Sequence, residues 1–167
     1  MAPPAIIDGE SADRIFTANG LEIWFDNVQV QNGKAPDGEN GGAVSAFQVG
    51  VHNSVFVDND ALQGGAISVS GTYGGQQCEG PVARLVPGLL LGCGDGAGVE
   101  ITGSEFTNNG ATVATDGGAV YGDIESTVTI SDSTFTGNHA LVPADSPGLT
   151  SNSGGAVAAT TLAYQIG

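Results

Sequence analysis

The sequence predicts an all-β protein whose fold class is a right-handed parallel β-helix, a solenoid of about four to five rungs with one long inserted loop. Three observations lead to this prediction. Two short motifs recur along the chain, no segment shows a helical hydrophobic period with caps, and 28 of the 167 residues are glycine. That share of glycine is more than twice the usual one and indicates many tight turns.

The first motif is Gly-Gly-Ala followed by Val or Ile, and it occurs four times, at 41–44, 64–67, 117–120 and 154–157. Glycine adopts backbone angles that strain other residues, so each glycine pair predicts a sharp corner. The Val or Ile of each copy predicts an inward-pointing column. The predicted corner glycines are Gly41, Gly42, Gly64, Gly65, Gly117, Gly118, Gly154 and Gly155.

The second motif places an apolar residue five positions before a phenylalanine and eight before an asparagine, and it occurs three times. It predicts another inward column, formed by Phe56, Phe106 and Phe135 together with Val30. It also predicts a second kind of corner, because asparagine tolerates left-handed conformations, and the asparagine amides can bond to a neighbouring rung as a ladder. These corner residues are Asn59, Asn109 and Asn138.

Each repeat contains short strand-like segments. Residues 99–102 and 128–131 alternate apolar and polar side chains, which is typical of half-buried strands. A unit this small cannot bury its own apolar face, whereas stacked units can. A β-sandwich of hairpins is the rival interpretation, but hairpins do not require the same corner residues in every repeat. A propeller blade needs about 40 residues, and the steps between repeats include 26 and 29 residues.

Taken together, the two motifs resemble the repeats of the polymorphic outer-membrane-protein family. The first reads Gly-Gly-Ala-Ile at 64–67, and the second reads Phe-Thr-Asn-Asn at 106–109. The resemblance extends from about residue 12 to residue 160, outside the inserted loop. It implies a right-handed β-helix in a secreted or surface protein, often an adhesin or the passenger region of an autotransporter.

We expect a single β-helix domain over residues 1–167, with an insertion at about 71–97 and a loop at about 139–153. The repeats run almost to the end of the chain, and solenoids normally carry polar caps at their ends. We therefore expect either a fragment of a larger surface protein or copies that stack into an assembly.

The insertion holds both cysteines, Cys78 and Cys93. A disulfide between them is the preferred interpretation, with free thiols as the alternative, and it would place the protein in an oxidising compartment. The stretch between the cysteines is apolar. Leu89, Leu90 and Leu91 are therefore expected either to cover an outer face of the solenoid or to form a contact patch for a partner.

The charge composition excludes several partners. With 18 acidic and 3 basic residues, the formal net charge is −15, whereas nucleic-acid binding requires clustered Lys and Arg. No apolar run approaches the roughly 20 residues of a membrane-spanning helix. We expect an extracellular or cell-surface location and, as partners, other protein chains, copies of this chain or carbohydrate.

No catalytic residue, metal site or cofactor is predicted. The basic residues Arg14, Lys34 and Arg84 fall in different regions of the chain, so the repeats bring no base together with carboxylates. The Asp-Asn-Asp sequence at 58–60 is a calcium candidate, but it lacks the further spaced ligands of a calcium loop. Solvated corner residues are the preferred interpretation there.

Two aromatic residues are candidate contacts for a ligand or partner, namely Trp24 and Tyr121, because an exposed ring can stack on a sugar. For Trp24, the preferred interpretation is a ring covered by the N-terminal segment around Ile6 and Ile7. The sequence thus predicts a non-catalytic extracellular structural or adhesive module that can self-assemble. The alternative is a glycan-binding or glycan-cleaving β-helix protein.

Overall fold

The computed structural model describes residues 3–70, 72–73, 76–77, 97–111, 117–123, 126–140 and 155–159. Within these ranges the regular secondary structure consists of short strands, with no helix. In chain order, the strands are β1 (Ala5–Asp8), β2 (Phe16–Asp26), β3 (Val28–Gln31), β4 (Val44–His52), β5 (Val55–Val57), β6 (Asp60–Ala61), β7 (Ile67–Val69), β8 (Thr72–Tyr73), β9 (Gln76–Gln77), β10 (Gly98–Thr102), β11 (Glu105–Thr107), β12 (Gly110–Ala111), β13 (Val120–Gly122), β14 (Thr127–Ser131), β15 (Thr134–Thr136), β16 (His139–Ala140) and β17 (Val157–Ala159).

Three parallel sheets each collect strands from successive repeats. The first has the order β1-β3-β5-β11-β15, the second β14-β10-β4-β7-β13-β17 with β2 beside β4, and the third β16-β12-β6. All the strand pairings described in these three sheets are parallel. The chain therefore passes from sheet to sheet and returns one rung further on, so the predicted parallel β-helix is confirmed.

One rung illustrates the course of the chain. It begins at the glycines at 41–42, follows β4, turns at Asn53, follows β5, turns again at Asp58 and runs through β6 towards the next glycine pair. Both turn residues have a positive φ, 47° at Asn53 and 55° at Asp58. Strand β4 pairs with β7 through residues 44–46 and with β10 through residues 48–52. Two strands of the next repeat thus cover one long side of this rung.

The interior is filled by apolar columns. Phe56 and Phe106 are fully buried, and their rings stack with centroids 5.1 Å apart and planes 5° apart. Phe135 continues the stack at 4.9 Å and 8°, while Phe25 closes it with an edge contact of 5.4 Å to Phe56. Aromatic pairs contribute about 0.5–1.5 kcal/mol each beyond area burial. The column therefore stabilises the stacking of one rung on the next.

The corner glycines come in pairs whose two members have different roles. The first has a positive φ, which is 74° at Gly41, 59° at Gly64 and 62° at Gly117. The second lies against the backbone of the next rung, because a Cβ on Gly65 would lie 2.4 Å from the carbonyl oxygen of Gly110. The glycines at 42 and 118 make the same kind of close approach. A side chain is therefore excluded at the first position by conformation and at the second by contact.

The asparagine corner differs from the expectation in one respect. The left-handed residues are Asp58, Asn108 and Gly137, with φ of 55°, 55° and 65°. Each lies one position before the asparagine at which the sequence pattern predicts that conformation. The recurrence of Asn at the following position is therefore explained by its side chain and not by its backbone angles.

The inserted segments lie largely outside the described residues. Within the insertion at 71–97 the structure describes β8 and β9, which pair antiparallel, and a buried Ala97. Within the loop at 139–153 it describes β16. In the described part of the chain, no helix is long and apolar enough to cross a membrane. The expected site residues that fall outside the described ranges are Cys78, Cys93, Leu89, Leu90, Leu91 and Gly154.

Gly65→Ala is expected to lower the free energy of unfolding by about 2 kcal/mol or more, as overpacking against an unyielding neighbour does. The added Cβ would lie 2.4 to 2.5 Å from backbone atoms of Gly110 and Gly118, which can move only with their rungs. Gly155→Ala is the matched control, because no atom of the described residues lies within 4 Å of a Cβ at this equivalent position. Urea unfolding measures both variants, and equal midpoints would contradict this account.

Candidate functional site

A buried ladder of asparagine side chains connects the rungs. The Gly33 N–H donates to Asn59 Oδ1 at 2.8 Å, the Asn59 N–H to Asn109 Oδ1 at 3.1 Å, and the Asn109 N–H to Asn138 Oδ1 at 2.9 Å. Each side-chain oxygen therefore accepts from the backbone of the preceding rung. Asn59 and Asn109 are almost completely buried, so these bonds form away from water, where an unpaired group is costly.

The amide nitrogens complete the ladder. Asn109 Nδ2 donates to the Phe56 carbonyl at 2.9 Å, and Asn138 Nδ2 donates to the Phe106 carbonyl at 2.8 Å. Side-chain amides also bond to one another: Asn59 Nδ2 donates to Asn109 Oδ1, and Asn109 Nδ2 donates to Asn138 Oδ1, at 2.9 Å in both cases. Because the amides of Asn59 and Asn109 bond to rungs on both sides, a shift of one residue between rungs would leave several buried groups unpaired.

A second ladder, formed by serines, was not predicted from the sequence. The Ser54 N–H donates to Ser104 Oγ at 3.2 Å, and the Ser104 N–H donates to Ser133 Oγ at 3.1 Å. Each hydroxyl donates in turn to the carbonyl two residues earlier, as Ser54 does to His52 at 2.7 Å. The signal was available, since each serine lies two positions before a phenylalanine of the second motif. Serine is so common in this chain that this spacing alone does not single out these three residues.

The outer face of the second sheet carries three columns of side chains across β2, β4, β10 and β14. In the order of these strands the columns are Glu22, Gln48, Gly98 and Thr127; then Trp24, Gly50, Glu100 and Thr129; and then Asp26, His52, Thr102 and Ser131. The first two columns enclose an open groove of about 280 Å³. We call it the Trp24 groove.

Trp24 is exposed, so the expectation that the N-terminal segment covers it is wrong. Its side chain is 54% exposed, because β1 pairs with β3 in the first sheet and leaves the outer face of β2 open. The ring rests on Gly50 of the next rung, where a Cβ would lie 2.1 Å from Trp24 Cε3. His52 meets the indole edge-on at 5.3 Å. Backbone below and an imidazole beside it thus hold the ring in place.

Tyr121 differs from the expectation for a contact residue. It lies on β13 in register with Ser68 and Ala158, but its side chain is only 8% exposed. It therefore does not offer an exposed ring to a ligand. Of the two aromatic candidates, the structure leaves Trp24 as the accessible one.

The two basic residues that the structure describes lie away from the Trp24 groove. Arg14 is bound at the first glycine corner, where its guanidinium donates to the carbonyl of Gly41 at 2.9 Å and pairs with the carboxylate of Glu39 at 2.6 Å. Lys34 lies on the third sheet, in register with Asp60. Within the described residues, the groove therefore contains glutamates and no Lys or Arg.

A charged column lies on the third sheet. Lys34, Asp60, Gly110 and His139 are in register there, and the His139 ring extends over Gly110, whose added Cβ would meet it at 2.8 Å. Burial raises the pKa of the Asp60 carboxyl, and the charges of Lys34 and His139 oppose this rise. Asp60 thus carries a charge that folding disfavours.

The calcium candidate at 58–60 has its middle residue engaged elsewhere. The Asn59 oxygen accepts hydrogen bonds in the buried ladder, and Asp58 is exposed on the preceding turn. Within the described ranges, no group of three or more His, Cys, Asp or Glu side chains is arranged to hold a metal ion.

These features define a parallel β-helix built from repeats, with an uncharged interior ladder and an aromatic groove outside. The family model of the Chlamydia polymorphic membrane protein repeat matches residues 103–123 and 132–160. Both segments contain one Phe-x-x-Asn motif and one Gly-Gly-Ala motif, so the predicted resemblance to this repeat is confirmed over these two segments. The match associates it with surface or outer-membrane proteins. No curated protein and no solved structure gives a significant match to the chain.

Asn109→Ala is expected to lower the free energy of unfolding by about 2–4 kcal/mol, because the buried Asn59 N–H and Phe56 carbonyl lose their partners. Asn108→Gly is the matched control, since this neighbour is exposed and glycine keeps its φ of 55° without strain. Denaturant titration measures both. If Asn109→Ala cost no more than the control, the ladder would not be holding the rungs together.

Asp60→Asn is expected to stabilise the protein at pH 7 more than at pH 3. A carboxyl whose folded pKa is raised favours folding below its unfolded pKa and loses that contribution as pH rises through the folded pKa. The amide avoids this loss. Asp58→Asn removes the same charge at an exposed position and so separates net charge from burial. Unfolding midpoints measured at both pH values test this, and a gain in stability that is larger at pH 3 would reverse the sign.

Proposed function

We propose that this chain is a non-catalytic adhesive and structural module displayed at the cell surface or outside the cell. The β-helix acts as a rigid frame, and its outer side chains make the contacts. The observation that carries this proposal is the pair of continuous ladders. The polar groups of the ladders hold one rung to the next, so the interior makes the solenoid rigid. Contacts with partners are then made by the outer side chains.

The family match supports the surface location. The matched repeat is described as that of a Chlamydia polymorphic membrane protein, and a repeat of this kind extends a surface without adding a catalytic centre. The net charge of −15 favours solubility and disfavours binding to anionic lipids and nucleic acid, so proteins and uncharged glycans are the partners it permits.

Glycan cleavage is the second candidate, because two carboxylates, Glu22 and Glu100, line one groove. Paired carboxylates are the usual groups of glycoside hydrolysis. By register these residues lie two strands apart and two positions along the strand, a Cα separation of about 12 Å. We favour binding without cleavage, because Gln48, the polar residue on the strand between them, cannot act as acid or base near neutral pH.

Adhesion is tested with beads coated with the purified chain and applied to cultured cells. We expect saturable retention that soluble chain competes away, because a fixed outer face binds a limited number of receptors. Albumin-coated beads are the control, and equal retention of both bead types would contradict adhesion. Light scattering on the same preparation shows whether the binding form is a monomer or a self-assembled multimer.

Catalysis is tested in parallel by measuring new reducing ends after incubation with polysaccharides. We expect none above the buffer blank. Release that persists in the wild type and disappears in both Glu22→Gln and Glu100→Gln would replace the binding proposal with the glycan-cleaving one.

A further inference from the structure

We propose that the Trp24 groove binds an uncharged glycan, with the indole as the stacking platform and the surrounding glutamates, amide and threonines as partners for sugar hydroxyls. This inference rests on the proposed adhesive function and names its ligand class and its site.

The geometry of Trp24 is that of a platform. One face of the indole lies on Gly50, and with 54% of the side chain exposed the opposite face is open. The edge contact with His52, at 5.3 Å and 74°, limits rotation of the ring. A ring already held in one orientation loses little freedom on binding, so more of the stacking energy appears as affinity. A sugar presents an apolar C–H face that such a ring can cover.

Two glycines open the space around the ring. The indole packs directly on the backbone of Gly50, since any side chain there would collide with the ring. Gly98 follows Gln48 in the neighbouring column and has no side chain, so the groove floor stays low between Gln48 and Thr127. The resulting volume of about 280 Å³ lies near the lower end of the range for small-ligand sites and suits one or two sugar rings.

The polar lining matches hydroxyl groups. Glu22 and Glu100 accept hydrogen bonds, Gln48 both accepts and donates, and Thr127 and Thr129 offer hydroxyls that do either. A sugar hydroxyl likewise donates and accepts, so it can pair with every one of these groups. The in-register columns point these side chains in the same outward direction from neighbouring strands.

Charge selects among the possible glycans. The described lining contains two carboxylates and no basic residue, and the whole chain carries a net charge of −15. Sulfated or sialylated glycans would be repelled. A basic protein segment could use the glutamates together with a cation–π contact to Trp24. A cationic side chain only donates hydrogen bonds, so it cannot accept from the amide N–H and hydroxyl groups of the lining. A sugar hydroxyl can both donate and accept, which favours the uncharged sugar.

The experiment uses Trp24 as its own probe, because it is the single tryptophan of the chain. Cellohexaose, mannohexaose and N-acetylchitohexaose are titrated while the indole emission and its quenching by acrylamide are recorded. At least one of these neutral hexasaccharides is expected to change the emission saturably and to shield the ring from acrylamide. A heparin hexasaccharide is expected to do neither. If none of the three neutral sugars changes the emission at millimolar concentration, the proposal is overturned.

Variants locate the site by calorimetric titration. Trp24→Ala is expected to weaken binding at least tenfold, and Trp24→Phe less, since a smaller ring keeps part of the stacking surface. Ile6→Ala is the matched control, because it truncates a side chain of similar exposure, 63% against 54%, that does not line the groove. Thermal unfolding checks that each variant is folded. Equal affinity of Trp24→Ala and wild type would remove the site from this groove.

Two further outcomes separate this inference from the adhesive function. If beads coated with Trp24→Ala are retained as well as wild-type beads, the chain is still adhesive, but the groove is not its contact site. Polylysine that perturbs Trp24 emission at low salt and is displaced by salt, with no response to the neutral sugars, would assign the groove to a basic protein segment instead.

Discussion

The structure depends on the requirement that a buried amide have partners. Asn59 and Asn109 lie inside the solenoid, where an unpaired amide would cost more than any single contact nearby provides. Their partners are backbone groups one rung away, and only one register brings all of them within reach. This polar ladder therefore selects the same register as the apolar columns, whose side chains a one-residue slip would turn to the outer face.

The same register determines what the protein shows to its surroundings. Along a strand, side chains alternate between the two faces, so a ladder that fixes the inner residues also fixes the outer ones. Val49 and Val99 are buried in the second sheet, and their neighbours Gly50 and Glu100 consequently form one outer column with Trp24. The aromatic groove is thus a consequence of interior hydrogen bonding.

The fold could be predicted from the sequence because its constraints repeat. A corner that admits only glycine, or a buried site that requires an amide, recurs at the same step in each rung, as at Gly64 and Gly117 or at Asn59 and Asn109. The sequence pattern predicts the left-handed residue one position too late, because Asp58, Asn108 and Gly137, which adopt that conformation, share no single residue type.

The site was less predictable, because exposure is not a local property. Whether Trp24 is covered depends on Gly50, 26 residues later, and on the pairing of β1 with β3 rather than over β2. Nothing in the residues next to Trp24 carries that information. Similarly, Tyr121 occupies an outward position in its strand, yet it is buried by its surroundings in the folded chain.

The division between interior and exterior also explains how one fold can serve different contacts. The described ladders contain only amides, hydroxyls and backbone groups, and the acidic residues of the described ranges are exposed or only partly buried. A change at Glu22 or Glu100 alters the outer face without removing a ladder bond. Affinity can therefore vary independently of the register that holds the rungs, which is the property required of a frame that presents a binding surface.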